Sequence, residues 1–97
     1  GQKIVLPYLF GDIEITEFLE LKKIIDNSKF DYKNIQNLYY FKSKRWDIET
    51  KESLIIKLPT EKLEVSFEIL LELLHNTKFD DPKVIDLRQK NLVILNE

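Results

Sequence analysis

The single histidine, His75, is the residue of the chain best suited to acid–base chemistry. It lies at the end of a leucine-rich helical pattern, where an imidazole more often interacts with the last carbonyl groups than works as a base. No serine of the chain sits in a nucleophile-elbow or related motif. The sequence therefore predicts that the protein is not an enzyme. A small α+β ligand-binding or enzymatic domain with a site near His75 is the alternative.

Metal and cofactor chemistry find little support in the sequence. The chain has no cysteine, which excludes disulfides, thiolate metal sites and cysteine nucleophiles. Asp80 and Asp81 can touch a cation, but no ligand spacing continues from them, so we expect a solvated loop. Two glycines are too few for a phosphate-binding loop or a dinucleotide fingerprint. We predict no metal site and no bound cofactor.

The aromatic residues Tyr39, Tyr40 and Trp46 are of the type that stacks against bases or sugars. No basic stripe accompanies them, and the formal net charge of -2 gives no reason to expect nucleic acid. We therefore predict that Trp46 and one tyrosine belong to the core, while the other tyrosine is half exposed on a sheet.

The C-terminal stretch has the spacing of a β-hairpin. Val84–Arg88 and Leu92–Leu95 flank the polar link Gln89-Lys90-Asn91. The last run would be an edge strand, whose free N–H and C=O groups pair readily with other chains, so either another strand of the domain or a partner covers it. By alternation Arg88 shares a face with Asp86. It can pair with Asp86 or with a carboxylate on a partner.

Two amphipathic helices and about five strands must position these groups within a single domain spanning 1–97, in which 43% of the residues are hydrophobic. Helix 1 is predicted at about Ile13–Asp26 with Asp12 as N-cap, and helix 2 from the N-cap Thr60 to His75-Asn76. Their apolar positions are predicted to be Ile15, Phe18, Leu19 and Ile25 with Leu21 or Lys22 between them, then Leu63, Phe67, Leu70, Leu71 and Leu74.

The predicted strands before the hairpin are Ile35–Lys42, Arg45–Thr50 and Ser53–Leu58, preceded by Ile4–Phe10 as an edge strand or extended lead-in. Trp46 and Ile48 are predicted to face inward, as are Leu54, Ile56 and Leu58. The pattern predicts an α+β fold, with a mostly antiparallel sheet of about five to six strands and two helices packed on one face.

Several motifs, taken together at this spacing, resemble a known family. Lys44-Arg45-Trp46-Asp47-Ile48 is followed by Leu54-Ile55-Ile56-Lys57-Leu58-Pro59, an amphipathic helix, Val84-Ile85-Asp86-Leu87-Arg88 and a short terminal strand. This order is similar to the β domain of the FtsQ family of bacterial cell-division proteins. The chain departs from the family at Lys51-Glu52-Ser53, where members often have Asn-Gly. It also departs at Gln89-Lys90-Asn91, where some have a tyrosine and a glycine-containing turn.

The resemblance implies a role that composition does not reveal. FtsQ-like proteins have one transmembrane helix, a POTRA domain and this β domain, on the periplasmic side of the bacterial inner membrane at the division septum. The chain would be the β domain alone, without the POTRA domain, excised from a longer membrane-anchored protein. It would act as a divisome scaffold that binds FtsB- and FtsL-like partners by β-augmentation.

The resemblance also places the expected partner-binding residues. Arg88 is expected to meet an acidic side chain of the partner, and the terminal strand to offer its backbone groups. Arg88→Glu should then weaken binding with the fold intact, and a proline at Val93 or Ile94 should abolish it. Self-association through the same edge is a third hypothesis. The expected site comprises Arg88, Gln89, Lys90, Asn91, Leu92, Val93, Ile94 and Leu95.

Overall fold

The computed structural model describes residues 6–76, 83–88 and 93–96 of the chain. Six strands follow one another in the sheet in the same order as in the sequence. They are β1 (Tyr8–Phe10), β2 (Ile35–Tyr40), β3 (Trp46–Thr50), β4 (Ile55–Lys57), β5 (Lys83–Asp86) and β6 (Val93–Asn96). The helices are α1 (Ile15–Asn27) and α2 (Leu63–Asn76), and a short 3-10 helix covers Tyr32–Asn34.

The predicted α+β class is confirmed, and the sheet is mixed. β2, β3 and β4 form the predicted antiparallel meander, and β5 and β6 form the predicted hairpin. The pairs β1–β2 and β4–β5 are parallel. A parallel pair needs a long crossover, and α1 and α2 are those crossovers. Both crossovers step the same way across the sheet, and because their handedness is nearly invariant, both helices lie on one face.

A row of fully buried aliphatic residues crosses this face. Leu38, Ile48, Ile56 and Ile85 are register partners from β2 to β5, and each is 0% exposed. The helices cover this row with apolar residues one or two turns apart. These are Phe18, Leu21 and Ile25 of α1 and Phe67 and Leu70 of α2. The inward positions predicted for β3 and β4 are all buried. Of the apolar positions predicted for α2, Phe67 and Leu70 are buried, and Leu63, Leu71 and Leu74 are partly buried against the core.

The start of each helix differs from the prediction. Glu14 is the N-cap of α1 and its side chain makes no capping hydrogen bond, so the assignment of Asp12 is wrong. α2 begins at Leu63, three residues after Thr60, so that assignment is wrong too. Ile15 and Leu19 are 66% and 54% exposed. They were expected on the buried side, but α1 turns its Phe18–Leu21–Ile25 side to the sheet instead.

The two hairpin turns of the meander are three-residue loops without glycine. The N–H of Phe41 donates to Arg45, and the N–H of Thr50 to Leu54, which closes the loops at 42–44 and 51–53. The third loop residue is left-handed in both, with φ of 66° at Lys44 and 68° at Ser53. A type I turn followed by a left-handed residue is a common geometry for this loop length. The second loop was expected to contain only Lys51-Glu52, and Ser53 extends it.

Gly11 allows the chain to leave β1 and cross to α1. Its φ is 116°, and a Cβ built there would lie 2.3 Å from the carbonyl oxygen of Tyr40. Both the backbone conformation and the lack of space require glycine. Close by, the hydroxyl of Tyr40 donates to Glu17, which ties β2 to α1 and raises the pKa of Tyr40 to about 12.

Candidate protein-interaction site

β6 lies at one end of the strand order and pairs, among the described strands, only with β5. The register sets Val84 opposite Leu95 and Asp86 opposite Val93. The prediction of a terminal edge strand is therefore confirmed in Val93–Asn96, while Leu92 lies outside the described residues. The turn residues Gln89, Lys90 and Asn91 also lie outside them.

The direction of the β5 backbone decides which groups of β6 are free. The N–H of Leu87 donates to the carbonyl oxygen of Lys57 on β4 at 2.8 Å. Backbone groups of successive residues in a strand point to opposite edges. The N–H and C=O of Val84 and Asp86 therefore point to β6.

The same alternation continues in β6. Val93 and Leu95, the partners of Asp86 and Val84, direct their backbone groups back to β5. Ile94 and Asn96 direct theirs away from the sheet, where a further strand would add. Asn96 was not among the expected site residues. The sequence gives no sign of it, because the outward set depends on the register of β5 against β4.

Arg88 is held against Asp86 where β5 ends and leads toward β6. Its Nε donates to Oδ1 at 2.8 Å and its Nη2 to Oδ2 at 2.6 Å, and its backbone N–H donates to Oδ1 at 3.0 Å. Of the two possibilities left open by the sequence, the pair within the chain is present. Nη1 makes no hydrogen bond among the described residues, and the Arg88 side chain is 39% exposed. The guanidinium is thus oriented by Asp86 and still has a face for a partner.

The carboxylate of Asp86 is almost enclosed, with 9% of its side chain exposed. The hydrogen bonds from the Arg88 side chain lower the pKa of Asp86 to about 2, against the opposing effect of burial. The same bonds raise the pKa of Arg88. Both groups are therefore charged at neutral pH, and the pair stays intact.

The helix-free face of the sheet continues this charge pattern toward β3. Asp47, Lys57 and Asp86 are register partners on β3, β4 and β5. Arg45 donates to Asp47, and Lys57 adds to the field that lowers the pKa of Asp86. Basic and acidic groups therefore alternate across these three strands among the described residues.

The other candidate chemical groups are not assembled into a site. His75 is exposed in the last turn of α2 and lies outside the cavities described along that helix. Trp46 is 4% exposed in the core, with the ring of Tyr40 packed 4.7 Å away, and Tyr39 is half buried and donates to Glu49. Asp80 and Asp81 lie outside the described residues. Within the described ranges no group of three metal-ligating side chains occurs.

Comparison with known proteins matches the C-terminal domain of the cell-division protein FtsQ/DivIB over residues 2–88. The chain belongs to the FtsQ/DivIB family. The match covers the sheet from β1 to β5 and ends at Arg88. No curated protein sequence matches the chain. In the part of this FtsQ/DivIB domain that the structure describes, neither helix is long and apolar enough to cross a membrane. Family membership gives the domain a role in cell division.

Proposed function

We propose that this FtsQ/DivIB domain is a non-enzymatic scaffold of the divisome that binds a partner strand at β6. The observation that carries the proposal is the outward edge of β6, which no described strand covers, next to an oriented arginine. An uncovered edge strand is the acceptor in β-augmentation. The partners are FtsB- and FtsL-like proteins, and the place is the periplasmic side of the inner membrane at the septum.

The backbone supplies the affinity in this mode of binding. The N–H and C=O groups of Ile94 and Asn96 are those directed outward. A partner strand that pairs with both residues gains up to four hydrogen bonds and extends the sheet to seven strands. Since these groups belong to the main chain, they set few limits on the partner's sequence.

Arg88 supplies selectivity. Its Nη1 N–H groups project from a guanidinium already fixed by Asp86, so little side-chain entropy is lost when a partner carboxylate binds. An acidic residue of the partner that flanks the added strand completes a carboxylate–guanidinium–carboxylate arrangement. A charge in that position contributes mainly to the rate of association and to the choice of partner.

Titration of the amide-labelled domain by NMR tests the proposal, with the periplasmic segment of the FtsB-like protein from the same genome as ligand. Shifts concentrated on Arg88 and Val93–Asn96, with slowed hydrogen exchange at Ile94 and Asn96, are expected. A segment of the same composition in scrambled order is the control. Shifts confined to another face, or none at millimolar ligand, would refute binding at β6.

A further inference from the structure

At the opposite end of the sheet, the edge strand β1 and the residues just before it expose large apolar side chains. By alternation Leu6, Tyr8 and Phe10 lie on the helix-free face, and they are 60%, 67% and 47% exposed. Asn37, Asp47 and Lys57 of the next three strands also lie on this face, together with the apolar Ile55 and Val84. Edge strands usually carry charges that prevent pairing with other chains, and residues 6–10 contain none.

Two rows of side chains that cross the sheet end at β1 with their last members partly exposed. On the helix-covered face, Leu9 is the register partner of Leu38 and so ends the buried aliphatic row, yet Leu9 is 42% exposed. On the helix-free face, the ring of Phe10 stacks on that of Tyr39, with 5.1 Å between centroids and 17° between planes. Because β1 is the last strand on this side, no described strand covers the outer side of either row.

We propose that β1 pairs with β1 of a second copy of this chain, antiparallel about a twofold axis through Leu9 and perpendicular to the sheet. Only this register pairs all three residues of the strand. It sets Leu9 opposite Leu9, and Tyr8 of each copy opposite Phe10 of the other. Aromatic residues directly opposite each other on adjacent strands attract, and the pair occurs twice by symmetry.

The same register completes both rows. The aliphatic row runs from Ile85 through Leu38 and Leu9 into the second copy, and the helices of both copies lie on the same side of a twelve-stranded sheet. Leu6–Phe10 contains no charged residue, so no like charges meet across this contact. A contact of three residue pairs buries less than the roughly 1,200 Å² of a stable complex, so the dimer is weak and concentration-dependent.

Sedimentation equilibrium from roughly 10 µM to 1 mM, where weak dimers dissociate, measures the association. Tyr8→Lys should weaken it by about tenfold or more, because symmetry removes the aromatic pair twice. Val65→Lys is the matched control, since Val65 is an exposed apolar residue on α2, 49% accessible. A wild-type protein that stays monomeric at 1 mM overturns the proposal. A dimer that survives Tyr8→Lys and is lost in Ile94→Pro also overturns it, because that dimer forms through β6.

The absence of cysteine allows a second, independent test of the register. Residues directly opposite in antiparallel strands have Cα atoms about 4.5–5.5 Å apart, within the range a disulfide spans. Leu9→Cys should therefore give a disulfide-linked dimer under mild oxidation, and Val65→Cys should remain reduced under the same conditions. Cross-linking at Leu9 no faster than at Val65 excludes the twofold contact. Neither test depends on a divisome partner, so failure here leaves the proposed function standing.

Discussion

The guanidinium of Arg88 and the carboxylate of Asp86 are joined side by side, Nε to Oδ1 and Nη2 to Oδ2, at 2.8 and 2.6 Å. Asp86 is buried and Arg88 is partly exposed. The carboxylate therefore contributes to the stability of the fold, while the guanidinium is accessible from outside. This arrangement changes how the role of Arg88 must be tested. Arg88→Glu would set a second carboxylate against a buried one, and loss of binding would then be mixed with loss of stability.

Arg88→Gln is the cleaner substitution, because it removes the charge and keeps a donor near Asp86. We expect affinity for the FtsB-like segment to fall by about tenfold, or roughly 1.4 kcal/mol, with a loss of stability near 1 kcal/mol. Calorimetric titration and urea unfolding measure the two effects separately. Lys23→Gln, an exposed site on α1, is the control. Unchanged affinity in Arg88→Gln would remove this arginine from the interface.

Proline at Ile94 and proline at Val93 should have different effects. The N–H of Ile94 points outward and that of Val93 points to β5, so only Ile94→Pro removes a free donor. Ile94→Pro is expected to lose partner binding with a small change in melting temperature. Val93→Pro is expected to unfold the hairpin as well, which amide shifts of β5 report. If both variants unfold equally, the deduced direction of the β6 backbone is wrong.

The stability of the domain should fall in acid through Asp86. The pKa of this carboxyl is about 2 in the folded protein, below the value near 3.9 of an unfolded aspartate. A lowered folded pKa stabilises the protein above pH 4 and loses that contribution as the pH falls toward 2. The loss is about 1–2 kcal/mol once screening of the exposed guanidinium is allowed for. Urea unfolding measures the free energy of unfolding between pH 7 and pH 2. This free energy should fall less over that range in Asp86→Asn than in the control Asp12→Asn.

Gly11→Ala should destabilise the domain by more than about 2 kcal/mol. The methyl group meets the carbonyl oxygen of Tyr40, and the residue must keep a φ that L side chains rarely adopt. Thermal unfolding measures the change. Asp12→Ala, at the exposed neighbouring position, should cost little. A mild effect at Gly11 would mean that the path from β1 to α1 can shift.

Ser53→Gly should stabilise the domain by about 0.5–1 kcal/mol, because Ser53 has a φ of 68° that glycine adopts without strain. Glu52, the preceding loop residue, does not have a positive φ. Glu52→Gly is therefore expected to be neutral or destabilising, since it only adds freedom to the unfolded chain. Equal effects at the two positions would contradict the assigned turn.

The alternation of apolar and polar residues correctly predicted which side chains are buried in the middle of the sheet, because helices cover each strand there on one face only. Trp46, Ile48, Leu54 and Ile56 are buried as expected. Helix α1 was predicted less well, because apolar residues occupy more than one side of it. The sequence does not show that the exit at Gly11 presents Phe18 rather than Ile15 to the sheet. Such choices depend on contacts between distant segments.

The interaction edge was predicted in outline for a similar reason. A final aliphatic run indicates an edge strand without knowledge of the rest of the fold. Which of its residues face outward follows from Leu87 bonding to Lys57, a contact across about thirty residues of chain. The left-handed Ser53 was missed because the usual signal, glycine, is absent. The parallel pairings were missed because helices separate their strands in sequence.

Strand order and chain order are the same in this sheet, and this has a consequence for how the domain opens. β1 pairs with β2 and is followed in the chain by α1, whereas β6 pairs with β5 alone and is followed by no helix or strand within the described residues. Detachment of β6 therefore requires no other strand to move. Native-state hydrogen exchange should show Val93 and Leu95 opening at a lower free energy than β3. A partner strand added to β6 would raise that free energy, so that association and protection from exchange increase together.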